Sequence, residues 1–475
     1  MRERLILPPD DRGLESVRGC RMRPGLAVVR EAPVLSPTLP CEGTACYVYG
    51  TVLRRGGWYR IWHQAVIPGF GDAVCHSISR DGIEWRRPLF GGAGELKGHR
   101  AKHGRAPTVD SLSFPEALAA APGLFRGRNN IAACLHNPVV IPPDEGDPYP
   151  GLYKIFGFTG QGYVAGFSRD GRKFRYAPEN PVIPLAWRPN PNTGKSWAND
   201  VGIPFWDAAK KRYVGLIKTY EIDREGRTRR CVGYAESPDL LRWTPVETVW
   251  TPGEAEDAIA VSKGFHWADL YGLPAFPYGD GYLGFLWLFM IDYELPKGTH
   301  VGKVEVYLAW SRDARRWERV SDEPLLSNRP DGEWGCGTIY TASRPVREAD
   351  HEKIYFSASS SLHGGWEVGL PPLGDHPFAI GAATLPKNGF CRLWAEDGEF
   401  VVPLGAVGEA RRVSITFSRE SGGAFAEARQ RGAERALFVG SVNEGERITL
   451  CPAKNERREL LVTLRNCGVY AIEIR

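Results

Sequence analysis

The sequence lacks several features that would place it in a common class. It has only 3 methionines among 475 residues. It has no run of about 18 apolar residues that would span a membrane, and its N-terminus has no apolar stretch of signal-peptide length. Its 60 Lys and Arg residues nearly balance 56 Asp and Glu residues, so a net charge of +4 favours neither nucleic acid nor a membrane surface as a partner.

The ten cysteines form no C-x-x-C motif, and no Cys/His spacing is typical of a zinc site. Several lie in apolar runs such as residues 132–135. We therefore expect buried, reduced thiols and a cytoplasmic location, where disulfides are rare. The sequence predicts neither a metal nor a cofactor, and it leaves the oligomeric state open.

Turn formers and aromatic residues are abundant, with 55 Gly, 37 Pro, 15 Trp, 18 Tyr and 20 Phe. They favour many turns that join aromatic-rich strands. A pattern Ser-x-Asp-x-x-x-aromatic recurs at residues 79–85, 168–174, 237–243 and 311–317, with a degraded fifth copy at 385–390. The Asp predicts a tight turn and the aromatic residue predicts the start of the next strand. Each copy therefore marks a hairpin.

Apolar segments upstream of each copy predict four antiparallel strands per unit, repeated about every 70 to 90 residues. The predicted fold is all-β: a five-bladed β-propeller over residues 41–396 and a C-terminal β-sandwich over residues 397–475. Residues 1–40 are predicted to be an extension that packs on the propeller.

The repeated hairpins resemble those of the five-bladed propeller glycoside hydrolases, and the chain is similar to bacterial family 32/43-like glycosyl hydrolases. The stretches that carry the resemblance are residues 49–53 with 59–62, residues 205–214, residues 332–340 and residues 380–390. The invertase-type motifs Asn-Asp-Pro-Asn-Gly, Arg-Asp-Pro and Glu-Cys are absent. The resemblance implies a glycosidase that uses paired carboxylates, without indicating its substrate.

Residues at the start of the first strand of each blade converge at one end of a propeller. These places predict the catalytic carboxylates Asp200 and Glu333 as an acid/base pair, with Asp269 and Glu42 tuning or orienting them. The resemblance implies acids from the first three blades, whereas the second offers His136-Asn137-Pro138.

Aromatic, imidazole and amide groups near these positions suit a sugar pocket, because sugar rings stack on aromatic faces. The predicted substrate-binding residues are Trp62, His63, His136, Asn137, Trp197, Asn199, Tyr271, Trp334 and His363. The expected partner is a small carbohydrate or glycoconjugate with a terminal, furanosidic sugar among the candidates. Two alternatives stay open: a glycoside phosphorylase, and a sugar-binding propeller without catalysis.

Overall fold

The structure, a computed structural model, describes residues 4–67, 71–90, 129–143, 146–184, 199–295, 299–365, 369–374, 378–404, 412–420, 422–452 and 459–475. Strands dominate this part of the chain, which contains a single α-helix, α1 (Glu254–Ser262), and a 3-10 helix (Pro40–Glu42). The prediction of an all-β chain is confirmed, and the architecture is consistent with a propeller. Among the described helices, none is long and apolar enough to cross a membrane.

Short strands at the N-terminus precede a series of antiparallel sheets. They are β1 (Arg4–Ile6), β2 (Glu15–Arg18), β3 (Arg21–Pro24) and β4 (Val28–Val29). The first sheet contains β5 (Cys46–Arg55), β6 (Trp58–Ile67), β7 (Gly71–Ser79) and β8 (Ile131–Ala133). The second contains β9 (His136–Ile141), β10 (Tyr153–Thr159), β11 (Gly162–Ser168), β12 (Arg175–Tyr176) and β13 (Ile183–Pro184). The third contains β14 (Gly202–Asp207), β15 (Arg212–Ile222), β16 (Thr228–Ser237) and β17 (Glu247–Trp250).

A ten-stranded sheet follows and consists of two antiparallel parts. The first part contains β18 (Trp267–Gly272), β19 (Ala275–Tyr278), β20 (Gly281–Glu294), β21 (His300–Ser311) and β22 (Glu318–Arg319). The second contains β23 (Thr338–Thr341), β24 (Val346–Arg347), β25 (His351–Ser359), β26 (Ala379–Pro386) and the early strand β4. One parallel register pair, Val304 with Thr338, joins the two parts.

A nine-stranded sheet contains the C-terminal residues. Its strands are β27 (Cys391–Pro403), β28 (Val413–Arg419), β29 (Phe425–Gln430), β30 (Phe438–Ser441), β31 (Arg447–Leu450) and β32 (Glu459–Ile474), together with β1 to β3. The sheet encloses a core of its own that includes Phe400, Phe417 and Leu460. The boundary predicted between residues 396 and 397 falls inside β27. Of the N-terminal strands, β1 to β3 pair with this C-terminal sheet, whereas β4 pairs with β26.

The repeated turn forms as the sequence predicts. In the first copy, Asp81 Oδ1 accepts the backbone N–H groups of Ile83 (2.8 Å) and Glu84 (2.9 Å), and Ser79 Oγ accepts that of Gly82 (2.8 Å). These bonds hold the pKa of Asp81 down at about 2, because backbone donors stabilise the ionised carboxylate. The Asp of each other copy makes equivalent bonds, Ser168 accepts the N–H of Gly171, and Ser237 and Ser311 accept the N–H groups of Asp239 and Asp313.

The residue after each Asp needs a left-handed backbone. Gly82 and Gly171 have φ of 77° and 74°, and the corresponding Leu240 and Ala314 have 64° and 61°. Such angles cost a residue with a Cβ roughly 1 kcal/mol, which the turn's hydrogen bonds offset. The degraded copy at residues 385–390 differs: it is a turn from β26 to β27 with Asn388 at φ 60°, and it contains neither Ser nor Asp.

Side-chain hydrogen bonds link the first strands of neighbouring sheets. Thr51 Oγ1 in β5 accepts the backbone N–H of Val140 in β9 (2.8 Å) and lies 2.7 Å from Ser343 Oγ, which follows β23. Asn137 Oδ1 in β9 accepts the backbone N–H of Gly202 in β14 (3.0 Å). We call β5, β9, β14, the pair β18 and β19, and the pair β23 and β24 the inner strands. Residues near their C-terminal ends line one cavity of about 460 Å³.

Replacing one turn carboxylate tests this account of the repeat. We expect Asp170→Ala to lower the free energy of unfolding by about 1–2 kcal/mol, because it removes the acceptor for the Arg172 N–H and the partner of Ser168. Urea denaturation followed by tryptophan fluorescence measures the change. Asp397→Ala, at a side chain that is 82% exposed, is the matched control. Equal stability of both variants would contradict a structural role for the turn.

Candidate active site

The N-terminal ends of the inner strands bring together residues that are far apart in the chain. His136 begins β9, Asp200 precedes β14 and Tyr271 lies in β18. His363, on the loop after β25, contacts Tyr271: its Nε2 lies 3.2 Å from the phenol oxygen. The structure therefore places these four predicted residues at one location, next to Asn137 and Asn199.

The His136 imidazole lies between two carboxylates. Its Nδ1 is 3.0 Å from Asp72 Oδ2, and its Nε2 is 3.8 Å from Asp200 Oδ2. Gln64 Nε2 donates to the other Asp72 oxygen (3.0 Å), and Gln64 Oε1 accepts the backbone N–H of Asn137 (2.8 Å). Asp72 thus fixes the orientation of the ring and directs Nε2 towards Asp200.

The neighbouring carboxylates favour the charged form of His136. Burial disfavours the imidazolium, but the hydrogen bond and charge of Asp72 and the charge of Asp200 outweigh it, so the pKa of His136 is raised above 6.5. Burial likewise disfavours the Asp200 carboxylate, yet the charges of Lys218 and His136 lower its pKa below 3.8. Asp200 is therefore ionised near neutral pH and can act as a base or nucleophile, and His136 beside it can donate a proton when it is in its charged form.

Lys218 in β15 anchors Asp200 through an ion pair. The lysine side chain is 3% exposed, whereas the Asp200 side chain is 29% exposed, so part of the carboxylate is open to solvent. The ammonium also lies 4.8 Å from the centre of the Tyr271 ring, within the range of a cation–π contact.

A second carboxylate, Asp269, is more deeply buried than Asp200. Asp269, in β18, accepts hydrogen bonds from Arg230 Nη1 (2.9 Å) and His300 Nδ1 (2.7 Å). Burial opposes ionisation of Asp269, but His300, Arg230 and Arg229 lower its pKa. Asp269 is completely buried. We infer that it positions Arg230, whose guanidinium lies 5.8 Å from the Tyr271 ring centre.

Neutral hydrogen bonds hold Tyr271. Burial and the charge of Arg230 lower the pKa of His363 to about 3, so its ring is neutral. Its Nδ1 donates to the His300 carbonyl (3.2 Å), which leaves Nε2 to accept the Tyr271 hydroxyl proton.

Three tyrosine rings pack together beside His136. Tyr49 lies edge-on to His136 with 5.6 Å between ring centres, and 5.0 Å from Tyr340. Tyr340 is in turn 5.4 Å from Tyr271. These tyrosines come from β5, β23 and β18, are buried, and pack against one another as an aromatic wall beside His136.

Three predicted residues in the first part of the chain lie elsewhere. Glu42 is fully buried and bonds to Arg87 Nε (2.8 Å) and the backbone N–H of Thr38 (2.9 Å), so it forms a structural ion pair. His63 lies beside it, 3.7 Å away, and burial lowers the pKa of His63 to about 4. Trp62 is fully buried and its Nε1 donates to Gly171 O (2.6 Å) in the neighbouring sheet.

Glu333 and Trp334 do not join the cluster through any contact between described residues. The Glu333 side chain is exposed on a turn that begins with Gly332 at φ 97°. Trp334 is buried, stacks on Phe356 and donates its Nε1 proton to Ala358 O (2.9 Å). Asn199 contributes its backbone oxygen, which accepts the Tyr163 hydroxyl. Trp197 lies outside the described residues.

Sequence reasoning missed Asp72, Lys218 and Arg230. These residues belong to β7, β15 and β16, whereas the predicted carboxylates were those at the first strand of each unit. A signal was present: Lys218 and Arg230 interrupt strands that are otherwise largely apolar at their buried positions. A charged side chain within a buried strand usually marks an ion pair or a functional site.

Metal binding finds no support in the described ranges. There, no group of three or more His, Cys, Asp or Glu side chains is arranged to hold a metal ion. None of the ten cysteines is in a disulfide, and eight of them are buried.

No profile of a known family matches the chain, and neither does any curated protein. Solved structures do match. A glycosyl hydrolase from Bacteroides ovatus has a TM-score of 0.46 at 15% identity, over 76% of this chain and 94% of its own. A thermostable family-43 glycoside hydrolase has a TM-score of 0.43 at 13% identity, and the match covers 72% of this chain and 91% of that protein. The β-fructofuranosidase of Schwanniomyces occidentalis, complexed with fructosyl-erythritol, has a TM-score of 0.40 at 8% identity. That match covers 96% of this chain and 97% of the other. The first two of these structures are described as glycosyl or glycoside hydrolases and the third as a fructofuranosidase.

The unequal exposure of Asp200 and Lys218 predicts unequal effects of their removal. Asp200→Asn leaves a buried ammonium without its counterion and should lower the free energy of unfolding by about 3 kcal/mol. Lys218→Met leaves a carboxylate that water can reach, and should cost only about 1 kcal/mol. The double variant should be more stable than Asp200→Asn alone. Urea denaturation measures all three, and a double variant no more stable than Asp200→Asn would contradict the pairing.

Proposed function

We propose that the protein is a glycosidase built on a five-bladed β-propeller, with a β-sandwich formed by the C-terminal residues and the N-terminal strands. The blades are the three separate sheets of four or five strands and the two parts of the ten-stranded sheet. Convergence of five inner strands at both of their ends supports this arrangement. The proposed location is the cytoplasm, on the expectation that cysteines in apolar runs are buried, reduced thiols.

The observation that carries the function is the position of His136. The His136 imidazole, which Asp72 orients and whose charged form Asp72 and Asp200 favour, lies 3.8 Å from the ionised, partly exposed Asp200. Glycoside cleavage requires a proton donor for the leaving oxygen and an anion for the positive charge that develops at the anomeric carbon. The site supplies both groups beside a wall of tyrosines.

We propose that Asp200 attacks directly, as in the retaining reaction, in which one group is the nucleophile and the other is first the acid and then the base. In the proposed first step, Asp200 forms a bond to the anomeric carbon while the bond to the leaving oxygen breaks and takes the His136 proton. In the second, His136 accepts a proton from water, which attacks the carbon and releases Asp200.

A glycoside phosphorylase is the second candidate because Lys218 and Arg230 bring two cations to Tyr271. Both cations are already paired with carboxylates, Asp200 and Asp269, which makes hydrolysis the better-supported reaction. The substrate class in either case is a small glycoside with a terminal sugar, furanosides included.

Turnover of nitrophenyl glycosides, furanosides included, tests the function. We expect phosphate-independent release of nitrophenol by the wild-type protein, and a loss of about 10³-fold or more in Asp200→Asn. Asp397→Asn, at an exposed site on the C-terminal sheet, is the control and should keep its rate. Circular dichroism establishes that both variants are folded.

Three other results would revise the proposal. Release that depends on phosphate would indicate a phosphorylase, and binding without turnover across the panel would indicate a sugar-binding protein. An unchanged rate in folded Asp200→Asn would remove this carboxylate from the mechanism.

The pH profile tests the role of His136. Its raised pKa means that the imidazolium, and with it the activity, is present below that pKa and lost as the pH rises through it. Asp200 has a lowered pKa and loses its charge only as the pH falls below 3.8. We expect Asp72→Asn to shift the alkaline limb of kcat/KM to lower pH, because it removes the group that raises the His136 pKa. An unshifted limb would contradict the assignment.

A further inference from the structure

The strand β9 is irregular at the point where it presents His136. Its register against β10 shifts there: Phe156 pairs with Val139, whereas Phe158 pairs with His136, so β9 has one residue more than β10 over this stretch. The extra residue makes a β-bulge at residues 137–138. A bulge bends its strand and redirects the side chains beside it, and here these include the imidazole of His136.

The backbone at Asn137 is left-handed, with φ of 48°. Such a φ is strained for most residues with a Cβ, and asparagine is among those that tolerate it best. Two hydrogen bonds fix this residue: its N–H donates to Gln64 Oε1 (2.8 Å), and its Oδ1 accepts the N–H of Gly202 (3.0 Å). Asn137 is 1% exposed, so both bonds lie in the interior, where a broken bond is costly.

The segment around Asp200 is held on both sides of that residue. Before it, the Tyr163 hydroxyl donates to the Asn199 carbonyl. After it, the amide of Asn137 binds the N–H of Gly202. A Cβ added at Gly202 would lie 2.4 Å from Cε1 of the Tyr163 ring, so the strand already touches that ring. The amide of Asn137 therefore joins the tightly packed segment that carries Asp200 to the bulge in β9.

We propose that Asn137 is a positioning residue whose amide sets the separation of His136 and Asp200 by tying the bulge in β9 to the start of β14. This role rests on the proposed function, because it concerns the same catalytic pair, and it differs from the predicted role of Asn137 in binding substrate. Asparagine meets both requirements of the position, since glycine lacks the acceptor and most other side chains resist the left-handed backbone.

The variant Asn137→Gly removes the acceptor and keeps a residue that adopts the left-handed backbone. On the nitrophenyl glycoside that the wild type cleaves fastest, we expect kcat to fall about tenfold or more and KM to change less than about twofold, because the pair is misplaced while the sugar still binds. Asn466→Gly, at another left-handed asparagine that is exposed on the C-terminal sheet, is the matched control and should keep both constants.

Titration of His136 by NMR in the ligand-free protein gives a second readout that needs no turnover. The titratable groups that face the ring come from several elements, namely Asp72 in β7, Lys218 in β15, Tyr49 in β5 and Asp200 before β14. Displacement of Asp200 weakens the negative charge that favours the imidazolium. The His136 resonance of Asn137→Gly should therefore titrate at lower pH than that of the wild type, whereas Asn466→Gly should leave it unchanged.

An unchanged His136 titration in folded Asn137→Gly would overturn the proposal. A KM raised about tenfold with kcat unchanged would overturn it as well, and would return Asn137 to substrate binding. If the wild type cleaves none of the glycosides, the proposed function fails, and the titration alone decides whether Asn137 positions the pair.

A second variant serves if Asn137→Gly does not fold. Asn137→Asp keeps an oxygen that can accept the Gly202 N–H and a side chain that tolerates the left-handed backbone. We expect it to keep kcat and KM within about threefold of the wild type. A KM raised about tenfold in the folded Asn137→Asp protein would contradict the positioning role.

Discussion

Hydrogen bonds between the inner strands of neighbouring sheets are the interaction on which the site depends. Thr51 joins β5 to β9 and to the loop after β23, and Asn137 joins β9 to β14. All these groups are buried, so leaving any one without its partner costs more than a surface hydrogen bond would. The bonds fix the distance between strands that are up to about three hundred residues apart in the sequence, and His136 and Asp200 are positioned by the same strands.

Charge pairing explains how so many ionisable groups can be placed together. Asp200 faces Lys218, Asp269 faces Arg230, and Asp72 faces His136. Each buried charge is thereby compensated, as an interior of low polarity requires. Asp200 has the most exposed of the three carboxylates and lies 3.8 Å from His136 Nε2. The chemistry is accordingly assigned there, and Asp269 has a supporting role.

The sequence predicted the repeated elements well and the site only in part. Local turns were predictable because Ser79 and Asp81 satisfy backbone groups a few residues away, so their role is visible in a short window. His136 and Asp200 were predictable from the rule that first strands converge, whereas Tyr271 was predicted as an aromatic residue near Asp269 and His363 as a histidine in a glycine-flanked loop. Lys218 was not predictable from this rule, because it belongs to β15, the second strand of its sheet, and only the folded structure brings it next to Asp200. Glu333 could not be judged either, since the turn at Gly332 directs its side chain outward.

The protonation state of His136 is the central claim, and NMR titration of the ligand-free protein with labelled histidine measures it directly. The account predicts that the His136 resonance titrates above pH 6.5, whereas His363 stays neutral down to about pH 3 and serves as the internal reference. A His136 pKa at or below 6.5 would contradict the account, because Asp72 and Asp200 would then not hold a charged imidazole between them.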